Sequence, residues 1–371
     1  MILTNISLRN FRIHRDIKIR FSENLNYIVG GNGQGKTTIL DSIYYLCTTK
    51  SHYTKTDMES VSFNEEEFEL IGNIKDLSET NNRIIFSKKD NKKRYFQDNK
   101  KITRSVNIIG RFPVVILTPA DHSITQGYPG DRRKFVDSVI SQASNTYLKT
   151  LMDYNKTLRQ RSSLLSQIRE GRRASLMDEL NAWTAKLIQA GAELIKSRKK
   201  FVVEFNDFIK ESYEVIMGSD EIPKVIYYFF DGTKETEKIE EEFSLLLSKK
   251  REEEIRRATN LVGPHRDDFI FEINGLNLKT FGSQGQHKTF QVVLRFAQFF
   301  YLKKITGKTP IFLLDDVFGE LDKKRAARIS EYLREVGQAF ITLTDFANFS
   351  FLKKEENDLL LQLNNGQITY A

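Results

Sequence analysis

Cysteine is what the chain has least of. Its 371 residues contain one, Cys47, which excludes an internal disulfide and a cysteine-ligated metal cluster and makes a reducing cytoplasm the expected compartment. Histidine is also scarce. His14, His52, His122 and His287 show no metal-ligand spacing. No apolar run approaches the roughly 20 residues of a membrane span. Met1-Ile2-Leu3-Thr4 enters a strand pattern directly, without a basic n-region or cleavage site, so no signal peptide is expected. Internal repeats and low-complexity segments are missing too. What is present is a globular composition, 40% hydrophobic and 29% charged, on a chain long enough for two lobes. Lys and Arg number 57 against 49 Asp and Glu, a net charge of +8. That excess suits a nucleic-acid partner and suits equally a solvated basic face.

The most informative stretch is Gly30-Gly31-Asn32-Gly33-Gln34-Gly35-Lys36-Thr37, which fits G-x-x-x-x-G-K-[ST], the phosphate-binding loop of P-loop NTPases. A short apolar strand, 26–29, precedes it. Thr38 and the residues to Leu46 follow at helical spacing. A strand feeding a glycine-rich turn into a helix points backbone N–H groups and the positive helix end at one place, which suits a polyphosphate. In that loop type Lys36 reaches the β- and γ-phosphates and Thr37 places its hydroxyl on Mg2+.

Strands are expected at 2–8, 16–21 and 25–29, then a meander at 68–74, 83–87 and 94–97 with polar turns at 79–82 and 90–92. Arg12 either folds back toward a nucleotide or is an ordinary surface arginine. The tract 88–104 carries Lys88, Lys89, Lys92, Lys93, Arg94, Lys100, Lys101 and Arg104 with Tyr95 and Phe96 among them. Such a tract either tracks a phosphate backbone or is a hairpin with solvated lysines. Strand 114–117 follows. From 120 to 215 the spacing turns helical, with two runs, about 145–210, broken at Gly171, Arg172 and Arg173. They predict a helical hairpin with arms of about 25 residues, on the order of 37 Å each, protruding or packed within a helical lobe. A strand at 224–230, a charged helix within 235–260 and a hairpin at 269–278 complete this region.

Ile311-Phe312-Leu313-Leu314-Asp315-Asp316 has the Walker B form: a buried-strand run ending in two carboxylates. Asp315 there suits Mg2+ and Asp316 suits orientation of an attacking water. Ser283-Gln284-Gly285-Gln286 stands before a helix at 288–303 and is similar to the signature motif of ABC ATPases. Gly319-Glu320-Leu321-Asp322 is similar to their D-loop, and a last strand, 336–343, ends in Thr344-Asp345.

Together with Leu8-Arg9-Asn10-Phe11-Arg12 and Gly263-Pro264-His265-Arg266-Asp267-Asp268, these motifs resemble the RecF family of bacterial recombination mediators, ABC-class relatives of SMC and Rad50, over essentially the full length. The resemblance implies an α/β fold. An ABC-type ATPase head, with mixed sheets around a central helix, is expected at 1–118 plus 308–371. A helical second lobe, 119–307, would carry the short hairpin and the signature at 283–286. It implies a DNA-binding ATPase that uses ATP and Mg2+, dimerises through ATP held between the Walker motifs of one subunit and the signature of the other, and hydrolyses slowly. It also implies action at single-strand gaps and gap junctions with RecO and RecR to promote RecA loading, replication restart and the SOS response, in the cytoplasm at the nucleoid and with no membrane partner.

By matching motif, Gly30, Gly31, Asn32, Gly33, Gln34, Gly35, Lys36, Thr37 and Thr38 hold nucleotide. Thr37 and Asp315 hold Mg2+, Asp316 takes the catalytic carboxylate's place, and Ser283 and Gln286 contact the γ-phosphate across the dimer. DNA contacts are expected among Lys88, Lys89, Lys92, Lys93, Arg94, Arg132, Arg133, Lys134, Lys196, Arg198, Lys199 and Lys200. Two departures stand out. Asp316 replaces the glutamate usual in transporters, which suggests a switch rather than a motor. No histidine follows the last strand, so Thr344 or Asp345 is the substitute, and Gln126 is the candidate Q-loop glutamine. The other readings are an SMC- or Rad50-like DNA clamp, a clamp in which ATP is structural, and an ABC transport subunit.

Overall fold

The computed structural model describes residues 1–171, 175–218, 221–230, 238–364 and 367–370. Arg172 and Arg173 lie outside them. The chain forms two units, Met1–His122 with Glu211–Asp220 and Lys288–Ala371, and Ser123–Lys210 with Glu221–His287.

The first unit begins with β1 (Ile2–Phe11), β2 (His14–Arg20), β3 (Leu25–Val29), α1 (Lys36–Thr48), β4 (Glu67–Lys75), β5 (Glu79–Ser87), β6 (Lys92–Gln97), β7 (Lys100–Ile102) and β8 (Val114–Leu117). The chain continues through α2 (His122–Gln126), α3 (Pro129–Ala143), α4 (Asn145–Arg169), α5 (Leu176–Met217), β9 (Pro223–Tyr228), α6 (Ile239–Arg257), β10 (Asp268–Ile273), β11 (Leu276–Asn277), α7 (Leu278–Phe281) and α8 (Gln284–Thr306). It closes with β12 (Ile311–Asp315), α9 (Lys323–Tyr332), β13 (Ala339–Leu343), β14 (Leu359–Asn364) and β15 (Gln367–Tyr370).

Two sheets enclose α1. One is antiparallel, ordered β2-β1-β4-β5-β6-β7; the other, β15-β14-β3-β13-β12-β8, is parallel except for the β14–β15 pair. Alternating burial along β4 and β5 marks a sheet with one wet face. β3, β12 and β13 are buried at every position, as strands covered on both faces must be. Ile39, Leu40, Ile43 and Leu46 of α1 are fully buried in the core cluster that both sheets share, so truncating any one costs about 2–5 kcal/mol. The mixed sheets around a central helix are thus as expected. The expected turn at 79–82 lies inside β5, because Asn82 is buried and accepts from the Tyr95 hydroxyl at 3.2 Å; the reversal is at 76–78, where Asp76 N donates to Ser78 O.

The second unit pairs the sheet β11-β10-β9 with helices. The hairpin arms are unequal. α4 has 25 residues but α5 has 42, about 63 Å of helix, because buried Phe205, Ile209, Tyr213 and Ile216 continue the apolar face. The pair is not a free arm. α6 adds Ile255 to the cluster of Leu164, Leu165 and Leu180, and buried Glu254 accepts from Arg161 at 2.6 Å. Lys288–Thr306 belongs to the first unit, where Arg295 of α8 forks onto Asp121 at 2.6 and 2.8 Å and Phe296 and Phe299 pack on Phe312. Glu211 onward joins it too, with Arg328 donating to the Met217 carbonyl.

Candidate functional site

The loop between β3 and α1 reverses on two left-handed glycines, Gly33 at φ +79° and Gly35 at φ +95°, a conformation that penalises any Cβ. Gly30 leaves β3 donating its N–H to Leu343 O at 3.2 Å. α1 then starts at Lys36, so its unpaired N–H groups face the loop. Lys36 Nζ donates to the carbonyls of Gly30 and Gly31 at 2.5 and 2.9 Å, holding the ammonium over the loop. Burial lowers its pKa, against the raising pull of Asp316 and Asp315.

β12 runs parallel to β13 and ends beside it at Asp315, which is 5% exposed. Its Oδ1 accepts from Thr37 Oγ1 at 3.1 Å and from Thr342 Oγ1 at 2.7 Å, and its Oδ2 accepts from the Tyr53 hydroxyl at 2.6 Å. Walker A and Walker B are therefore joined directly, through the residue pair expected to hold Mg2+. Asp316 sits at φ +51° with its backbone N–H donated to Thr342 Oγ1 at 2.9 Å. A non-glycine residue there carries about 1–3 kcal/mol of strain and needs its surroundings to hold it. Its side chain is exposed.

Around this pair lies a network with little sequence signal. Buried Asp41 of α1 accepts from Ser51 Oγ at 2.7 Å, His52 N at 2.9 Å and Arg12 Nη1 at 3.2 Å. Burial raises its pKa against these three donors. Arg12 stands 5.6 Å from the Tyr53 ring centroid, so it is not an ordinary surface arginine: it ties the end of the first strand to the loop after α1. His52 packs edge-on against Tyr44 and Tyr53, and burial lowers its pKa to about 4.

Ser283 and Gln286 lie in the other unit. Ser283 precedes α8, its Oγ accepting from Gln286 N at 3.2 Å while Gln286 Oε1 accepts from Ser283 N at 2.9 Å. This reciprocal box finishes the helix start. Gln286 Nε2 donates to Glu221 at 3.0 Å. Ser283 remains exposed. Gln126 also falls in the second unit. Asp345 caps a short turn by accepting from Ala347 N at 3.0 Å, and Thr344 is exposed. The residue of β13 that touches both aspartates is Thr342, inside the apolar run, where only its polarity sets it apart; β13 is not the last strand, since β14 and β15 follow it.

Several candidate DNA contacts are committed elsewhere. Arg132 is buried and forks onto Asp268 at 2.7 and 2.8 Å. Arg198 is buried between Asp137 and Asp267, and Arg133 donates to Asp267 O at 2.5 Å. Arg132 and Arg198, each a buried guanidinium paired with a carboxylate, cannot leave it for a phosphate without stranding a charge, which argues against these two as DNA contacts, whereas Arg133 is held by a main-chain carbonyl. Lys93 is paired with Asp57 at 2.8 Å, Arg94 with Asp90 at 2.6 Å, and Lys88 donates to Glu65 O at 2.9 Å. Lys199 lies over the Phe229 ring at 5.6 Å, and Lys200 stands 3.8 Å from Glu204. Lys89, Lys92, Lys100, Lys101 and Arg104 are exposed. No helix among the described residues is long and apolar enough to cross a membrane.

With this geometry in place, the comparisons with known proteins agree with it. The family model for the RecF/RecN/SMC N terminal domain matches residues 2–357. The DNA replication and repair protein RecF of Chloroherpeton thalassium is 37% identical over 361 residues, covering 95% of this chain and 98% of its own length. A solved structure of the recombination mediator protein RecF-ATP in the RecFOR pathway aligns with a TM-score of 0.90 at 31% identity, covering 100% of this chain and 97% of that one. An SMC head bound to the C-winged helix domain of ScpA aligns at 0.57 with 13% identity, a likeness of fold alone.

Proposed function

The chain belongs to the RecF family, and on that premise we propose that it is an ATP-dependent DNA-binding protein of recombinational repair, a dimerisation switch driven by ATP and slow, DNA-stimulated hydrolysis. The observation that supports this reading is the division of the machinery. Lys36, Thr37, Asp315 and Asp316 meet within one unit, while Ser283 and Gln286 stand at an exposed helix start in the other. A second copy supplies the missing half. ATP then joins two chains, and loss of the γ-phosphate releases them.

Gly30 to Thr38 hold the nucleotide, with Lys36 on its β- and γ-phosphates. Among the described residues no group of three or more His, Cys, Asp or Glu gathers for a metal. The hard oxygens of Thr37 and Asp315 nonetheless suit Mg2+, which takes few protein ligands and completes its shell with phosphate and water. Bound there, the ion would neutralise phosphate charge. Asp316 orients the attacking water. The working partners are single-strand gaps and gap junctions in DNA, RecO and RecR, and through them RecA, in replication restart and the SOS response at the nucleoid. Exposed Lys89, Lys92 and Lys200 are suited to sequence-blind phosphate contact. An SMC- or Rad50-like clamp is the second reading, favoured by the shared head fold.

Ser283→Arg tests the proposal. Sizing with a non-hydrolysable ATP analogue is expected to give dimers for the parent chain and monomers for the variant, with ATP still bound by the variant monomer. Variant dimers that persist refute the composite site.

A further inference from the structure

We propose that Tyr53 is a positioning residue for the metal-binding carboxylate, an inference that rests on the Mg-nucleotide reading of the site. Thr37 and Thr342 occupy one carboxylate oxygen of Asp315. The other accepts from the Tyr53 hydroxyl at 2.6 Å. A carboxylate held at both oxygens is fixed in rotation, which is what outer hydrogen bonds do for metal ligands.

The loop carrying the hydroxyl is anchored from behind. Ser51 Oγ donates to Asp41 and accepts from the Tyr53 and Thr54 amides at 3.0 and 2.9 Å. Asp41 also holds Arg12, whose guanidinium faces the Tyr53 ring. One contact chain therefore runs from the end of β1 through Arg12, Asp41 and Tyr53 to Asp315. A tyrosine in a polar loop gives no sequence sign of this role.

The test is equilibrium binding of a fluorescent ATP analogue across a Mg2+ titration, with the parent chain, Tyr53→Phe and Ser51→Ala, each checked for cooperative thermal unfolding. The parent chain is expected to bind more tightly as Mg2+ rises; if it does not, the Mg-nucleotide reading itself fails. Given that dependence, Tyr53→Phe is expected to raise the Mg2+ concentration of half-saturation about tenfold or more, the usual scale for an outer hydrogen bond to a metal ligand. Binding of the metal-free nucleotide stays unchanged. Ser51→Ala, which loosens the loop and leaves the hydroxyl, shifts it the same way by less. Half-saturation equal to the parent in both variants overturns the inference. So does equal weakening with and without Mg2+, which would mark a merely structural residue.

Discussion

Thr342→Val removes one hydroxyl and keeps the shape of the side chain. That hydroxyl does two things: it donates to Asp315 Oδ1 at 2.7 Å and accepts the Asp316 N–H at 2.9 Å. The first is a hydrogen bond to an ionised group, about 1.5–3 kcal/mol. The second steadies Asp316 at φ +51°, a pose that costs about 1–3 kcal/mol and relaxes when its tie is cut. If only the first is lost from the transition state, turnover falls about 10- to 150-fold; release of Asp316 lowers it further. Binding of nucleotide without Mg2+ involves neither bond and is expected to hold. Thr342 is fully buried on β13, and valine fills the same volume, so the chain still folds. Steady-state phosphate release gives kcat, and Thr342→Ser, which restores the hydroxyl, is expected to recover most of it. A valine variant with kcat within about threefold of the parent would refute the idea that this hydroxyl joins the two aspartates into one working unit.

Asp316→Asn keeps the backbone and removes the charge proposed to orient water; it is expected to abolish phosphate release while ATP-bound dimers last longer, as seen by sizing during a single turnover. Glu254→Gln leaves Arg161, 2% exposed at its side chain, without its carboxylate. The expected loss is about 3–5 kcal/mol, or a fall in the melting point of the second unit at roughly 2–4 °C per kcal/mol. Burial lowers the pKa of His265 to about 4 from 6.5 in the unfolded chain. The unfolded state takes up the proton first, so this histidine's contribution to stability is level above pH 6.5 and falls toward pH 4 by about 1.4 kcal/mol per unit. Urea midpoints from pH 7 to pH 4 are expected to fall less in His265→Gln.

The parts of this protein that sequence made legible are those where backbone chemistry restricts residue choice. The P-loop needs glycine at Gly33 and Gly35 because the chain turns left-handed there, and a strand buried on both faces must be apolar throughout, as 311–314 is. The contacts that finish the site are ordinary residues made special by long-range folding. Tyr53 meets Asp315 across 262 positions and Thr342 meets it across 27; no local pattern encodes either. The basic residues mislead for the same reason. Arg132, Arg198 and Lys199 look alike on a charge count, yet Asp268, Asp137 and Asp267 have claimed the first two. Charge predicts a phosphate contact only where folding leaves the cation facing water.

That principle also bears on the signature. Gln286 gives its carbonyl to Ser283 N and its amide to Glu221, so reaching a phosphate would cost it both bonds. Ser283 accepts from Gln286 N through an oxygen lone pair, and that bond leaves its own hydroxyl proton uncommitted. The two residues, equal by motif, are therefore unequal by geometry. On the proposed reading the serine, exposed at the positive end of a 23-residue helix, is the group prepared to meet an incoming anion, and the glutamine, on the same reading, holds that helix end in shape.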